Sequence, residues 1–339
     1  MNNLNIETLR NNLTENKKIV IVSHSNPDGD AVGSSLALYN YFLIKNQDVK
    51  VILPNNFPDF LSWMKGSKDV LIYNSKKNIC NQLLENADII FCLDFNALNR
   101  VEKLQDGLRN SKAKKVLIDH HLQPEIDCFD FVFSVIKVSS TAELVYDFIS
   151  LMGDEQLINI DIASCIYAGI MTDTGSFSYS CNYEKTYRVT ASLINLGMDA
   201  EEIHHLIYDT FSENRLRLLG YCISEKLNVN NGLASAYISL SKEELDKFDY
   251  QVGDTEGVVN YALSINKINL AALFTERDGK IRISFRSKGE VDVNVFARTY
   301  FEGGGHRNAS GATSYMSLDD TIKKFEESLI NYKSILLNK

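Results

Sequence analysis

Three short apolar runs, each stopping on ionisable residues, constrain the fold of this chain more than any other feature. They are KKIVIVSH (17–24), ADIIFCLDF (87–95) and KKVLIDHH (114–121). Unbroken apolar runs of this length read as buried strands with polar ends. DAVGSSLALYNYFLIK (30–45), STAELVYDFISLM (140–152) and IDIASCIYAGIMTDTG (160–175) have helical character, the second opening on a capping Ser or Thr. Strand and helix alternate, which predicts an α/β fold with a mostly parallel N-terminal sheet flanked by helices. Ligands of such sheets bind beyond the carboxyl ends of the strands. His24, Asp94 and His120 fall at those predicted ends.

KTYRVTASLINLG (185–197), AEEIHHLIYDTF (200–211) and SENRLRLLGYCISEKLNV (212–229) read as further helices. A different grammar follows: strand ASAYISL, helix EGVVNYALSI, strands INLAALFTER and KIRISFRSK, helix VNVFARTYF. The DG between the last two strands is a hairpin signal. The expected organisation is a domain over 1–189, a helical connector over 190–214 and a smaller C-terminal α/β domain over 215–339, with a cleft between the domains. A chain of 339 residues that is 45% hydrophobic can fill a core in each domain.

Charge narrows the partners. Residues 1–215 carry 19 Lys/Arg and 28 Asp/Glu, a balance of −9, and residues 216–339 carry 16 of each. An acidic chain is a poor binder of long duplex nucleic acid. It suits a small anionic ligand where metal ions or a local basic patch offset the repulsion. Six basic residues between Lys280 and Arg307 against three acidic ones form such a patch. No apolar stretch reaches the roughly 18–20 residues of a membrane span, and the polar N-terminus is not a secretory signal. Six scattered cysteines without a C-x-x-C pair suit buried free thiols in a reducing cytoplasm.

Five constellations could carry chemistry. In His24-Ser-Asn-Pro-Asp28-Gly-Asp30 a strand end, a Pro and a Gly can aim one imidazole and two carboxylates at one point. Divalent cations such as Mn²⁺ or Mg²⁺ accept that donor set. The competing reading is a turn with Asp30 as a helix N-cap. Asp94 ends a buried strand and either binds or caps. Asp119-His120-His121 closes another strand, where Asp119 could hold His120 by a hydrogen bond; a solvated loop is the alternative. Asp173 at a helix C-terminus opposes the macrodipole, which favours a cation partner. The run Gly303-Gly304-Gly305-His306-Arg307-Asn308-Ala309-Ser310-Gly311 reads as a loop whose amides can approach an anion. It follows Arg286-Ser287-Lys288, with Arg286 a candidate phosphate clamp. His204 and His205 read as helix residues without a metal role, and Trp63 as a packing residue.

HSNPDGDAVGSS, LDF, IDHH, TDTGSF and GGGHRNASGA, in this order over nearly the whole chain, resemble the DHH–DHHA1 phosphoesterase family. Within it the chain looks most like the bifunctional oligoribonuclease and pAp phosphatase group. The resemblance implies two divalent ions, usually Mn²⁺, with Mg²⁺ or Co²⁺ also compatible with the ligand types. His24, Asp28 and Asp94 would hold one. Asp30, Asp94, His120 and Asp173 would hold the other, with Asp94 bridging. His121 would face the scissile phosphate and Asp119 would orient His120. Arg286, Ser287, Gly303, Gly304, Gly305, His306, Asn308 and Ser310 would bind substrate.

The implied reaction is hydrolysis of short oligoribonucleotides to mononucleotides and of pAp to AMP. Its partners would be short RNA or small nucleotide phosphates, with no long duplex and no membrane. A homodimer is the ordinary oligomeric expectation. The alternatives are a cyclic- or linear-dinucleotide phosphodiesterase, a pyrophosphatase or exopolyphosphatase, and a non-catalytic nucleotide binder.

Overall fold

Residues 3–13 and 16–337 are described by a computed structural model of the chain, whose contacts divide into two units, Met1–Thr210 and Phe211–Lys339. The first unit runs α1 (Asn3–Asn12), β1 (Lys18–Ser23), α2 (Gly29–Ile44), β2 (Asp48–Leu53), β3 (Leu71–Ile72), α3 (Tyr73–Asn86), β4 (Ile89–Leu93) and α4 (Leu104–Asn110). It continues through β5 (Lys114–Asp119), β6 (Phe131–Ser134), α5 (Thr141–Leu151), α6 (Ile160–Asp173), α7 (Glu184–Asn195) and α8 (Ala200–Tyr208).

The strands form one sheet in the order β3-β2-β1-β4-β5-β6, and every pairing is parallel. The expected parallel sheet is therefore present. Its central strands are apolar without alternation because helices cover both faces: β4 is buried at all five positions. The chain steps outward from β1 to β2 and β3, then returns to the other side of β1 as β4. Strand order reverses between β1 and β4, which leaves a crevice beyond their carboxyl ends.

Two glycines set the helix spacing at that end. A Cβ on Gly33 of α2 would stand 2.5 Å from the carbonyl oxygen of Cys165 on α6. A Cβ on Gly169 of α6 would stand 2.5 Å from Cβ of Ala142 and 2.9 Å from Oδ1 of Asp30. Their absent side chains let α2, α5 and α6 crowd together, so that Asp30 reaches the start of α5. Phe148 locks α5 onto the sheet, edge-on to Phe91 at 5.6 Å and to Phe133 at 5.8 Å. Truncating such a buried aromatic costs about 3–5 kcal/mol. Val189, Leu193, Ile203 and Ile207 bring α7 and α8 into the same core. The boundary between the two units falls after Thr210.

The second unit contains α9 (Glu213–Ser224), β7 (Leu227–Asn230), β8 (Ser235–Leu240), α10 (Lys242–Lys247), α11 (Val258–Ser264), β9 (Leu270–Arg277) and β10 (Lys280–Ser287). Next come α12 (Val293–Tyr300), β11 (Glu302–Gly305), β12 (Ala309–Ser314), α13 (Leu318–Asn331) and α14 (Lys333–Leu337). Its sheet has the order β11-β12-β10-β9-β8-β7 and is mixed, parallel only between β8 and β9. Asp278 and Gly279, with φ of 55° and 71°, make the expected DG turn between β9 and β10. Along β10, Ile281, Ile283 and Phe285 are buried while Arg282, Ser284 and Arg286 alternate to the other face.

Two segments differ from expectation. The end of the 212–229 segment is the strand β7, paired to β8, and not a helix. GGGHRNASGA is the hairpin β11–β12, and not an open loop. Pairing with a neighbouring strand overrides the local preference in both. The six cysteines are free thiols and five of them are buried. No helix among the described residues is long and apolar enough to cross a membrane.

Candidate metal centre

The segment after β1 is a loop built to project side chains. Asn26 takes a left-handed φ of 53°, and its amide donates to Oδ1 of Asn55 at 2.7 Å. The Ser25 amide donates to the Arg100 carbonyl at 2.9 Å. Asp28 is the N-cap of α2, with Oδ1 accepting from the amides of Asp30 (3.1 Å) and Ala31 (3.0 Å). The cap is thus Asp28 and not Asp30. Asp30 lies one position into the helix and points inward, 1% exposed.

Asp94 follows β4 with φ of 63°, a left-handed conformation that costs a non-glycine residue about 1–3 kcal/mol and is typical of functional sites. Its Oδ2 lies 3.3 Å from Nε2 of His24, and its Oδ1 lies 3.5 Å from Nε2 of His120. His120 Nε2 also lies 3.7 Å from Asp30 and 3.4 Å from Asp173. Two compact groups result, His24 with Asp28 and Asp94, and Asp30 with Asp94 and His120. Within each, one ligand atom per residue lies within 4.8 Å of the others. Asp94 belongs to both, and with Asp119 and His121 it forms a third.

Asp119 does not pair with His120. Its Oδ1 accepts from Nδ1 of His121 at 2.7 Å. Alternation at the end of β5 explains this: residues two apart share a side, and adjacent ones do not. His120 is thereby turned to the carboxylates, and His121 is held by Asp119, whose Oδ2 is buried without a hydrogen bond.

The electrostatics are those of a cation site. Burial opposes the imidazolium of His120, but Asp173, Asp94 and Asp30 push its pKa up to about 10. Burial likewise opposes charge on His24, yet Asp94 and Asp28 raise it. Burial works against ionised Asp94, but His120, His24 and His121 hold it well below the usual carboxylate range. Burial and the neighbouring Asp94 and Asp173 drive Asp30 well upward. Burial, with Asp28 and Asp94, lifts Asp173 to about 6 against the pull of His120. Carboxylates crowded this closely need positive charge. The all-oxygen and imidazole donor set fits hard or borderline divalent cations.

Sequence reasoning missed Thr141. Its amide donates to Oδ2 of Asp30 at 2.7 Å, and its hydroxyl donates to Oδ1 of Asp94 at 2.9 Å. The Ala142 amide donates to Oδ1 of Asp30 at 2.8 Å. The capping signal at Ser140 marked this helix start but could not show what lay against it.

In the second unit the expected substrate residues separate into two kinds. Asn308 Nδ2 donates to Ser287 Oγ at 2.9 Å and to the Gly289 carbonyl at 3.1 Å, while Ser287 Oγ donates to the Val291 carbonyl at 2.6 Å. Ser310 Oγ donates to the His306 carbonyl at 2.8 Å. These three side chains bind the local backbone. Gly303 and Gly305 allow strand contact, since a Cβ would meet Gly311 O at 2.4 Å or Ala309 O at 2.7 Å. The Gly305 amide is taken by Asn294 Oδ1 at 3.1 Å. Gly304 pairs with Gly311, and His306 sits in the turn after β11. Arg286 has a buried Nε with no hydrogen-bond partner. On the exposed side of α8, His205 pairs with Asp209 one turn later, beside His204.

Residues 18–170 match the model of the DHH family, N-terminal domain, and residues 230–331 match that of the DHHA1 domain. The chain belongs to the DHH phosphoesterase family. The DHH match spans β1 to α6 and so covers the elements carrying His24, Asp30, Asp94 and His120. The bifunctional oligoribonuclease and PAP phosphatase NrnA of Bacillus subtilis is 32% identical over 302 residues, 88% of this chain and 89% of that protein. The cyclic-di-AMP phosphodiesterase GdpP of the same organism is 24% identical over 96% of this chain and 49% of its own length. The crystal structure of an exopolyphosphatase-related protein from Bacteroides fragilis superposes with a TM-score of 0.92 at 44% identity, covering 99% of this chain and 98% of that one.

Proposed function

We propose that this DHH phosphoesterase hydrolyses short oligoribonucleotides to mononucleotides and pAp to AMP at a centre of two divalent cations, Mn²⁺ in the first instance. One observation carries the reading: Asp94 offers one oxygen to each of two His-and-carboxylate groups. His24, Asp28 and Asp94 would hold one ion, and Asp30, Asp94, His120 and Asp173 the other. When bound, such ions supply an activated water and neutralise developing charge on phosphoryl oxygens.

The chain's own residues do the rest. Asp30 is oriented by two amides of α5 and Asp94 by the Thr141 hydroxyl. Asp119 fixes the ring of His121 by accepting from Nδ1, so that Nε2 would face the scissile phosphate and, on the imidazolium, would donate a hydrogen bond to a phosphoryl oxygen. Arg286 on β10 would grip a further phosphate by its planar fork, with Gly304 and His306 on the β11–β12 hairpin, whose β12 pairs with β10. The acidic first unit disfavours long strands, which need an extended basic groove. Buried free thiols suit a reducing cytoplasm.

A second reading, polyphosphate hydrolysis, is favoured by the likeness to the exopolyphosphatase-related protein of Bacteroides fragilis. Both are tested by one comparison in Mn²⁺ with and without chelator. Chelator-sensitive AMP release from pApA and pAp is expected. Turnover of polyphosphate or pyrophosphate with neither nucleotide cleaved would replace the substrate assignment.

A further inference from the structure

Glu143 is completely buried, three residues after the N-cap Ser140 of α5. A Ser-x-x-Glu start usually folds the carboxylate back to the cap's own amide. Here it reaches one residue further. Oε2 of Glu143 accepts from the hydroxyl of Ser139 at 2.5 Å, from its amide at 3.3 Å and from the hydroxyl of Thr186 on α7 at 2.8 Å. Oε1 is buried without a hydrogen bond, with Nζ of Lys185 4.0 Å away. Ser139, Ser140, Thr141 and Thr186 are all fully buried.

A buried carboxylate is costly unless it is well satisfied. Helix capping alone needs neither Ser139 nor Thr186. What the arrangement fixes is the position of the first turn of α5 against α7. That turn presents Thr141, whose amide and hydroxyl touch Asp30 and Asp94 at 2.7 and 2.9 Å. A carboxylate oxygen has two acceptor sites, so Oδ1 of Asp94 can take the hydroxyl and still face a cation.

We propose that Thr141 is the positioning residue that aims Asp94, the carboxylate shared by the two groups, and that Glu143 is the post holding Thr141 in place. The assignment rests on the metal-centre reading above. It makes the start of α5 part of the cation-binding apparatus, although neither Thr141 nor Glu143 would touch the ion.

The test uses the full chain stripped with chelator. Mn²⁺ is titrated calorimetrically into wild type, Thr141→Val and Thr141→Ser, and thermal unfolding is followed in chelator. Valine keeps the shape and both α5 amides but removes the hydroxyl. Thr141→Val is expected to lose about 10–100-fold in Mn²⁺ affinity, the usual effect of deleting a partner of a ligand. Thr141→Ser is expected to restore it. The unfolding midpoint in chelator should move little, and kcat should recover at saturating Mn²⁺, which a merely structural defect would not do. Glu143→Gln should weaken Mn²⁺ in wild type yet add less in the Thr141→Val background, because it acts through Thr141. Wild-type affinity in Thr141→Val, or serine behaving as valine, overturns the Thr141 assignment; full additivity overturns that of Glu143. A wild type that binds no Mn²⁺ overturns the metal centre itself, and both assignments with it.

Discussion

Asp94 sets its Oδ2 3.3 Å from Nε2 of His24, on the opposite side of the carboxylate from His120. The left-handed backbone of Asp94 makes this double orientation available, at a strain the rest of the fold sustains. His24 and His120 therefore serve different groups. His24→Ala and His120→Ala should each bind one Mn²⁺ fewer than wild type. Each should lose several kcal/mol of transition-state stabilisation, at least roughly 100-fold in kcat/KM. Calorimetric stoichiometry and steady-state kinetics check both.

The metal-free protein should lose stability as pH rises. His120 is raised from 6.5 to about 10, by carboxylates that outweigh its burial. Asp173 is raised from 3.8 to about 6, by burial and by neighbouring carboxylates. Both bind protons more tightly folded than unfolded. Their stabilisation is complete below the unfolded values and is lost as pH climbs through the folded ones. Asp94, held low, stays ionised throughout. The unfolding midpoint in chelator should fall between about pH 4 and 6 through Asp173 and between about pH 6.5 and 10 through His120, and His120→Gln should flatten the second fall. Mn²⁺ at pH 8 should restore the midpoint and release protons on binding.

Arg286 and Asn308 should separate by readout. Arg286 carries a buried Nε without a partner and donates through Nη1 to the carbonyl of its neighbour Phe285, whereas Asn308 ties together Ser287 and the Gly289 carbonyl. Arg286→Ala should raise KM for pAp about 10–100-fold, the worth of a charge-assisted hydrogen bond, with an unchanged unfolding midpoint. Asn308→Ala should cost about 1–3 kcal/mol of stability.

The three glycines before His306 should not be equivalent. Gly303→Ala drives a Cβ to 2.4 Å from Gly311 O, and Gly305→Ala to 2.7 Å from Ala309 O, with φ at 149°. Both should lower the unfolding midpoint. Gly304→Ala, whose nearest neighbours stand 3.5 Å away, should fold as wild type. Thermal unfolding of the three variants decides this.

The parallel sheet was legible because buried strands declare themselves as unbroken apolar runs, and their ends named His24, Asp94 and His120. The partner of Asp119 was not, because which imidazole turns toward it depends on alternation at the end of β5. Nor was Thr141, which reaches Asp30 and Asp94 from 111 and 47 residues away. Such contacts arise only when Gly33 and Gly169 let three helices crowd together. GGGHRNASGA misled as a loop because glycines that permit an anion cradle equally permit close strand pairing.

The most direct test of the shared carboxylate is a Mn²⁺ titration of chelator-stripped wild type beside Asp94→Asn. The geometry predicts two ions per chain for wild type and the loss of high-affinity binding at both sites in Asp94→Asn. Two ions bound by Asp94→Asn with wild-type affinities would contradict it.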